Sequence, residues 1–385
     1  MHDSPLSPPP LSLYLHLPWC IRKCPYCDFN SHALSESVDF AGYVDALIDD
    51  LNYEQGLAGA RELVSIFIGG GTPSLFPAEE ISRLLENVTS TFRCAGDLEV
   101  TLEANPGAAE RARFAGYRAA GVNRLSIGVQ SFDDRKLASL GRVHNSVESD
   151  RAVEAAYTAG FDNINLDLMS GLPYQSPQEG LRDVERALAY APSHLSYYQL
   201  TLEPNTRFAA FPPRLPDEHT LGEIQRLGLE RLEDAGYRQY EVSAFSRPGL
   251  HCRHNLNYWQ FGDYLGIGAG AHGKLSRVEE RLVERRARVR GPEQYLLSAG
   301  GEAVVSERRA LSAGDLQLEF VMNALRLKDG FEPALFTSRT GLAIAQVDAS
   351  LAQARRRGLL SDAGGRIRAT EQGWSFLNDL LTIFV

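Results

Sequence analysis

The chain has 385 residues, with 39 Lys or Arg against 49 Asp or Glu, for a formal net charge of −10. That balance argues against wholesale binding of nucleic acid, whose phosphates select a basic excess. No apolar run approaches the roughly 18 residues of a membrane span. A hydrophobic share of 44% and a charged share of 23% are ordinary for a globular chain able to bury a full core. The proline-rich start, Met1 to Pro10, lacks the basic residues and apolar stretch of a signal peptide, so a cytoplasmic location is expected. Five cysteines, an odd count in a long chain, speak against a disulfide framework.

In chain order, Leu11 to Leu17 reads as a short buried strand. Further strands are expected at 64–68, 98–103, 123–128, 163–168 and 194–201. Helical periodicity fills the gaps, at 37–55, 78–92, 108–120, 147–159 and 178–190. Regular strand–helix alternation predicts a parallel sheet with right-handed crossovers. About six units are fewer than the eight of a closed barrel. The expected fold is therefore α/β, a partial (β/α)6 parallel barrel, with a doubly wound sheet as the alternative. The rhythm stops at the proline-bearing stretch 203–216, and a helix is expected at 217–235. Short strands and loops are expected over 239–290, and helices from about 314. The last helices, near 343–357 and 371–383, flank a hairpin in GLLSDAGGRIRAT, giving a smaller mixed, winged-helix-like C-terminal domain. The expected boundaries are 1–236 for the barrel, 237–310 for a mixed extension and 311–385 for the C-terminal domain.

The sharpest chemical signal is Cys20, Cys24 and Cys27, spaced C-x3-C-x2-C directly after the first strand. Three thiolates on one short loop can converge on a soft metal centre. One ligand is missing for structural zinc, which takes four; His16 or His32 could supply it. An iron–sulfur cubane on three cysteines keeps one iron open to a substrate or cofactor. In a parallel barrel the chemistry gathers at the C-terminal strand ends, and the cysteines follow such an end. The second strand ends in Gly69-Gly70-Gly71-Thr72-Pro73, where glycine lets backbone approach a ligand. Glu103, Gln130, Arg142 and Asp167 fall at or just after later strand ends. Each could instead be a surface ion-pair member or a cap; together they read as a cofactor pocket.

The cysteine spacing, with Tyr26 between the last two, resembles the radical S-adenosylmethionine (SAM) superfamily. That resemblance implies a 4Fe-4S cluster on the three cysteines and SAM on the open iron, whose reductive cleavage yields a 5′-deoxyadenosyl radical. The segments LYLHLPWCIRKCPYCDFNSH, IFIGGGTPSL, LEANPG, NRLSIGVQSF, LGRVHN, NLDLMSGLP and HNLNYW narrow it. They are similar to the oxygen-independent coproporphyrinogen III oxidase family, which includes a dehydrogenase and a heme chaperone branch. The resemblance assigns SAM contacts to Tyr14, Gly70, Gly71, Thr72, Glu103, Gln130, Arg142 and Asp167, with Tyr26 beside them. Phe29 stands where the dehydrogenase has a fourth cysteine, and only thirteen residues precede Tyr14. Both features match the chaperone branch, as does HNLNYW at 254–259. The function expected is heme binding and delivery to respiratory hemoproteins. The alternatives are radical oxidative decarboxylation of coproporphyrinogen III, and a structural or electron-transfer metal protein. No catalytic residue is assigned.

His254 is the expected heme ligand, since imidazole is a common axial ligand and Tyr258 and Trp259 offer flat apolar surface. His251 and Cys252 are rivals; Cys252 and Cys94 would otherwise be buried free cysteines. Arg277, Arg281, Arg285, Arg286, Arg288 and Arg290 alternate with Glu279, Glu280 and Glu284, which reads as a solvated, ion-paired face. A weak contact with a membrane surface or partner, and a homodimer, are compatible with the sequence.

Overall fold

A computed structural model describes residues 6–35, 38–107 and 111–385. Six strands follow the expected rhythm: β1 (Leu11–Leu17), β2 (Glu62–Gly70), β3 (Arg93–Ala104), β4 (Arg124–Gln130), β5 (Asn163–Ser170) and β6 (His194–Gln199). They lie side by side in chain order and run parallel. Right-handed crossovers between such neighbours put the connecting helices on one face, which is how a partial barrel gains an inside and an outside.

Strand periodicity then sorts the residues. On β1, Leu11, Leu13, Leu15 and Leu17 are fully buried in the main apolar core. The same outward face carries Ile66 and Ile68, Leu125 and Ile127, and Ile164 and Leu166. They pack with α1 (Phe40–Ala58), α2 (Ala78–Thr91), α3 (Phe114–Ala119), α4 (Ser146–Thr158) and α5 (Pro177–Ala189) through residues such as Leu47, Leu84, Phe114, Val153 and Val184. The alternate positions, among them His16, Thr101, Ser126, Asn165 and His194, are polar and buried. The inside of the barrel is thus a polar chamber. Helix starts are marked locally: Asn145 with Glu148, and Ser176 with Glu179, form reciprocal caps.

The sheet is wider than six strands. Beyond β6 it adds β7 (Arg238–Glu241) and β8 (Ala244–Ser246), and beyond β1 it adds β9 (Asp263–Ile267), β10 (His272–Arg277), β11 (Leu282–Arg288) and β12 (Val305–Ala310). The order is β12-β11-β10-β9-β1-β2-β3-β4-β5-β6-β8-β7, with β9 parallel to β1 and the outer pairs antiparallel. The stretch 237–310 is therefore built into both flanks of the main sheet. A second apolar core gathers around Phe320, Phe331 and Phe336, where α6 (Ala313–Ala324), α7 (Pro333–Thr340), α8 (Asp348–Arg356) and a hairpin of Leu360–Ala363 with Arg366–Ala369 meet.

Several boundaries differ from expectation. The third strand starts earlier, at Arg93, because the register to β2 slips and resumes between Leu63 and Ser65. Of the helix expected over 108–120, Phe114–Ala119 is helical, and 108–110 lie outside the described residues, as does position 37 of the first helix. The last expected helix is two short ones, Glu371–Ser375 and Leu377–Leu381, and the one before it opens with a tight turn at Ile344–Val347. HNLNYW, expected among strands and loops, forms a helix over Arg253–Trp259.

The basic run also differs. Arg286 and Arg288 are not on a solvated face; both lie in β11 and are 4% and 2% exposed. Arg288 Nε donates to Asp50 at 3.0 Å, and Arg286 Nη2 to Glu54 at 3.0 Å. Both acids sit one turn apart on α1, more than 230 residues away in sequence, so alternation with nearby glutamates could not reveal the pairing.

Candidate functional site

At the C-terminal ends of β1 to β6 lies a cavity of about 510 Å³. The loop after β1 supplies Cys20, Cys24, Tyr26 and Cys27 to its wall. This loop is pinned at its root by β2. The Gly71 N–H donates to Leu17 O at 2.8 Å, and the Thr72 N–H to Trp19 O at 2.7 Å. A Cβ on Gly71 would stand 2.6 Å from Trp19 O, and Gly70, at φ +113°, would meet the His16 ring at 2.7 Å. The glycine run is needed for this close approach whether or not a ligand is bound.

His16 is spoken for on both sides. Its Nε2 meets Asn30 O at 2.8 Å and so must carry the proton, which leaves Nδ1 to accept from Tyr14 OH at 2.9 Å. It is not free to complete a zinc site. Among the described residues no three His, Cys, Asp or Glu donors converge as a one-ion site. The three thiols on one loop suit a larger group seated between them. Burial pushes the Cys20 and Cys27 thiols up, a cost that metal binding must offset.

Opposite the cysteines, Arg142 is clamped by Asn105 Oδ1 at 2.5 Å and Gly128 O at 2.9 Å, and its Nη1 points at Cys24 Sγ at 3.7 Å. A fixed cation therefore stands beside a sulfur that is anionic when it ligates metal. Asn105 also donates to Thr72 Oγ1 at 3.0 Å, linking two strand ends. Gln130 holds an uncommon positive φ of +67° and accepts from Tyr198 OH at 2.8 Å. Non-glycine residues in that region cluster at functional sites.

Glu103 and Asp167 both line the cavity. Burial, together with repulsion from Asp167, raises Glu103 to about 7, against a 3.2 Å hydrogen bond from the Gly70 N–H. Asp167 is raised by burial too, although Asn165 Nδ2 at 2.8 Å and Ser126 Oγ at 3.2 Å donate to it. Two buried acids on one cavity wall make a site suited to a cationic or hydroxyl-bearing ligand.

Eleven of the thirteen expected site residues thus share one cavity, namely Cys20, Cys24, Tyr26, Cys27, Gly70, Gly71, Thr72, Glu103, Gln130, Arg142 and Asp167. Tyr14 and His254 are not on its wall. The His254 ring stacks on Phe67 at 4.7 Å and lies 6.4 Å from Tyr14. Burial lowers it to about 4, so the imidazole is neutral at physiological pH, and its buried Nδ1 has no hydrogen-bond partner. Helical spacing explains the split: residues three or four apart share a face. Asn255 and Trp259 face the cavity, while His254 and Tyr258 pack towards Phe67 and Tyr264. Cys252 is buried and raised to about 12, its thiol directed at Glu99 Oε1 at 3.4 Å, so it stays protonated. His251 stacks on Tyr240 at 4.3 Å. Cys94 is only half-buried.

Sequence reasoning missed Asn105, Tyr198, Glu241, Asn255 and Arg326, all on the cavity wall. Asn105 was within reach, two residues after Glu103 in the same strand-end motif. Arg326 gave no local signal.

The chain resembles known proteins along its length. A family model described as the Radical SAM superfamily matches residues 14–187, and one described as the HemN C-terminal domain matches 311–376. The solved structure of coproporphyrinogen III oxidase (HemN) from Escherichia coli, a radical SAM enzyme, has a TM-score of 0.82 at 24% identity, covering 98% of this chain and 90% of that one. The fold is that of a radical SAM protein. Heme chaperone HemW of Escherichia coli (strain K12) is 46% identical over 377 residues, covering 98% of each chain. Its namesake from Haemophilus influenzae is 45% identical over 381 residues, again with 98% of each chain covered. The chain belongs to the heme chaperone HemW family of the radical SAM superfamily.

Proposed function

We propose that the chain is a heme chaperone: it binds heme, holds a 4Fe-4S cluster on Cys20, Cys24 and Cys27, and binds SAM at the open iron. The observation that carries the reading is the single cavity in which three cysteines of one loop face Gly70, Glu103, Gln130, Arg142 and Asp167. The names of the full-length relatives support the heme part. When bound, the cluster supplies one electron to SAM. The chain's own residues do the positioning. Arg142 neutralises charge at Cys24, the Gly70–Gly71 backbone admits the methionine end, and Glu103 and Asp167 accept hydrogen bonds from the cofactor's polar groups.

His254 is the proposed axial ligand of heme. An imidazole that is neutral, with an unsatisfied buried nitrogen, is in the state a metal needs. His254 lies outside the cysteine cavity, on the Phe67 side of the HNLNYW helix. The proposal includes a cytoplasmic location, delivery to respiratory hemoproteins, and contact with a membrane surface or a second copy during delivery. No described helix is long and apolar enough to cross a membrane.

The test is titration of the purified chain with heme. A stoichiometric Soret band is expected, weakened and shifted in His254→Ala; absence of any stoichiometric spectral change overturns the chaperone reading. Seven of the eight residues that the resemblance gives as SAM contacts line one cavity, which favours a second reading, oxidative decarboxylation of coproporphyrinogen III. An anaerobic assay with reductant and SAM decides it: SAM cleavage without decarboxylated product rejects the enzyme.

A further inference from the structure

Behind the cofactor cavity, polar side chains inside the barrel form one directed series that ends on Asp167. Asn165 Nδ2 donates to Asp167 Oδ1 at 2.8 Å and to Ser126 Oγ at 2.8 Å. Ser126 Oγ in turn donates to Asp167 Oδ2 at 3.2 Å. Both carboxylate oxygens are thus held. A carboxylate only accepts, so Asn165 must turn its NH2 towards Asp167 and its oxygen away. That oxygen meets His194 Nδ1 at 2.6 Å and Ser196 Oγ at 3.2 Å. An amide oxygen also only accepts, which places the imidazole proton of His194 on Nδ1. Its Nε2 is then a lone pair and accepts from Tyr240 OH at 2.9 Å. The Tyr240 oxygen accepts from the Cys252 N–H at 3.2 Å, and Cys252 caps the HNLNYW helix.

Every donor in the series points the same way, from Cys252 through Tyr240, His194 and Asn165 to Asp167. Asn165 and His194 are buried and do not line the cavity. Burial, with the Arg124 guanidinium adding to it, pushes the His194 imidazole well below its ordinary range, so it stays neutral. Hydrogen bonds aligned in one direction polarise one another, and the group that gains is the acceptor at the end. The other groups that act on Asp167 come from three strands. Glu103 on β3 repels a second negative charge, and Arg124 on β4 favours one, with its Nη1 turned to Thr101 Oγ1 at 3.5 Å. The Tyr198 hydroxyl on β6 is neutral.

We infer that Asn165 and His194 are positioning residues for the cofactor cavity: they fix the Asp167 side chain as an ionised acceptor on its wall, His194 acting only through Asn165. The inference rests on the SAM-binding reading above and extends it to residues that touch no ligand. The plain alternative is a core histidine satisfied by its neighbours. It predicts lost stability on substitution and no change in how SAM binding depends on pH.

SAM affinity is measured by equilibrium dialysis from pH 6 to 9 on the full chain with its cluster reconstituted, as wild type, Asn165→Leu, His194→Gln and His194→Asn. Without its donors Asp167 competes with Glu103 for the proton they repel each other over. The curve of affinity against pH should then move up by about one pH unit in Asn165→Leu and His194→Gln. His194→Asn puts an amide N–H near the place of Nδ1, so its curve should stay with wild type although the Tyr240 contact is gone. The inference is overturned if the Asn165→Leu and His194→Gln curves coincide with wild type, or lie below it by one factor at every pH. It is overturned equally if His194→Asn moves together with His194→Gln. Should Asn165→Leu not fold, the two polar His194 variants decide alone. If wild type binds no SAM, the cofactor reading itself has failed and the inference falls with it.

Discussion

Glu103 shows how one residue couples the chamber to pH. Burial, with repulsion from the Asp167 carboxylate, lifts its carboxyl to about 7. An acid raised in this way is protonated and uncharged below 7 and anionic above it. SAM is a sulfonium cation with hydroxyl and ammonium donors, so the anionic form is the better partner. Binding therefore strengthens as pH rises through 7. If only the ionised form binds, affinity at pH 6 should be roughly tenfold weaker than at pH 8. Equilibrium dialysis of SAM against the reconstituted protein measures this, and Glu103→Gln should flatten the profile. A wild-type affinity that is level across this range would remove Glu103 from the cofactor's contacts. The same shift has a stability sign: the folded chain holds this proton more tightly than the unfolded chain, so Glu103 favours folding least above pH 7 and most below about 4.5.

Elements were legible where local pattern decides them. The six parallel strands show in the sequence because alternate apolar residues face the helices, and the cysteine loop shows because its three ligands are neighbours. HNLNYW did not show as a helix: seven residues are under two turns, too few for a period of 3.6 to stand out. The β11 arginines were misread because their partners lie on α1. Tyr295 OH also donates to Asp50, at 2.8 Å, so that acid is held by two groups from the flank of the sheet. Removing one member of a buried ion pair strands the other without water. Arg288→Ala should therefore cost about 3–5 kcal/mol, read from urea unfolding. A change below about 1 kcal/mol, the scale of an exposed pair, would show that the α1–β11 contact is not a buried charge network. The cavity wall at Arg326 was illegible for the same kind of reason. Arg326 meets Trp259 only because a segment near the C-terminus pairs with β7 across the sheet edge.

At the scale of the molecule, two apolar cores share one sheet, and that predicts how the chain unfolds. Leu265 and Leu275 on β9 and β10 belong to the main core, while Val283 on β11 belongs to the second. Phe320 is at the centre of the second core, edge-on to Phe331 at 5.0 Å, Phe336 at 5.1 Å and Phe261 at 5.8 Å. Phe261 lies two residues before Asp263, where β9 begins to pair with β1. Loss of the second core would free the flank of the sheet, and that flank carries the Arg286 and Arg288 pairs to α1. The two cores should therefore melt together. Phe320→Ala empties a fully buried site and should cost about 3–5 kcal/mol, lowering the midpoint of a single calorimetric transition. The alternative is a C-terminal region that opens by itself, which would appear as a separate, earlier transition in the variant while the main one stays in place. Such a split would also mean that Arg326 can leave the cavity without unfolding the barrel. The wall at Arg326 would then be a movable side of the chamber, set by the stability of the second core.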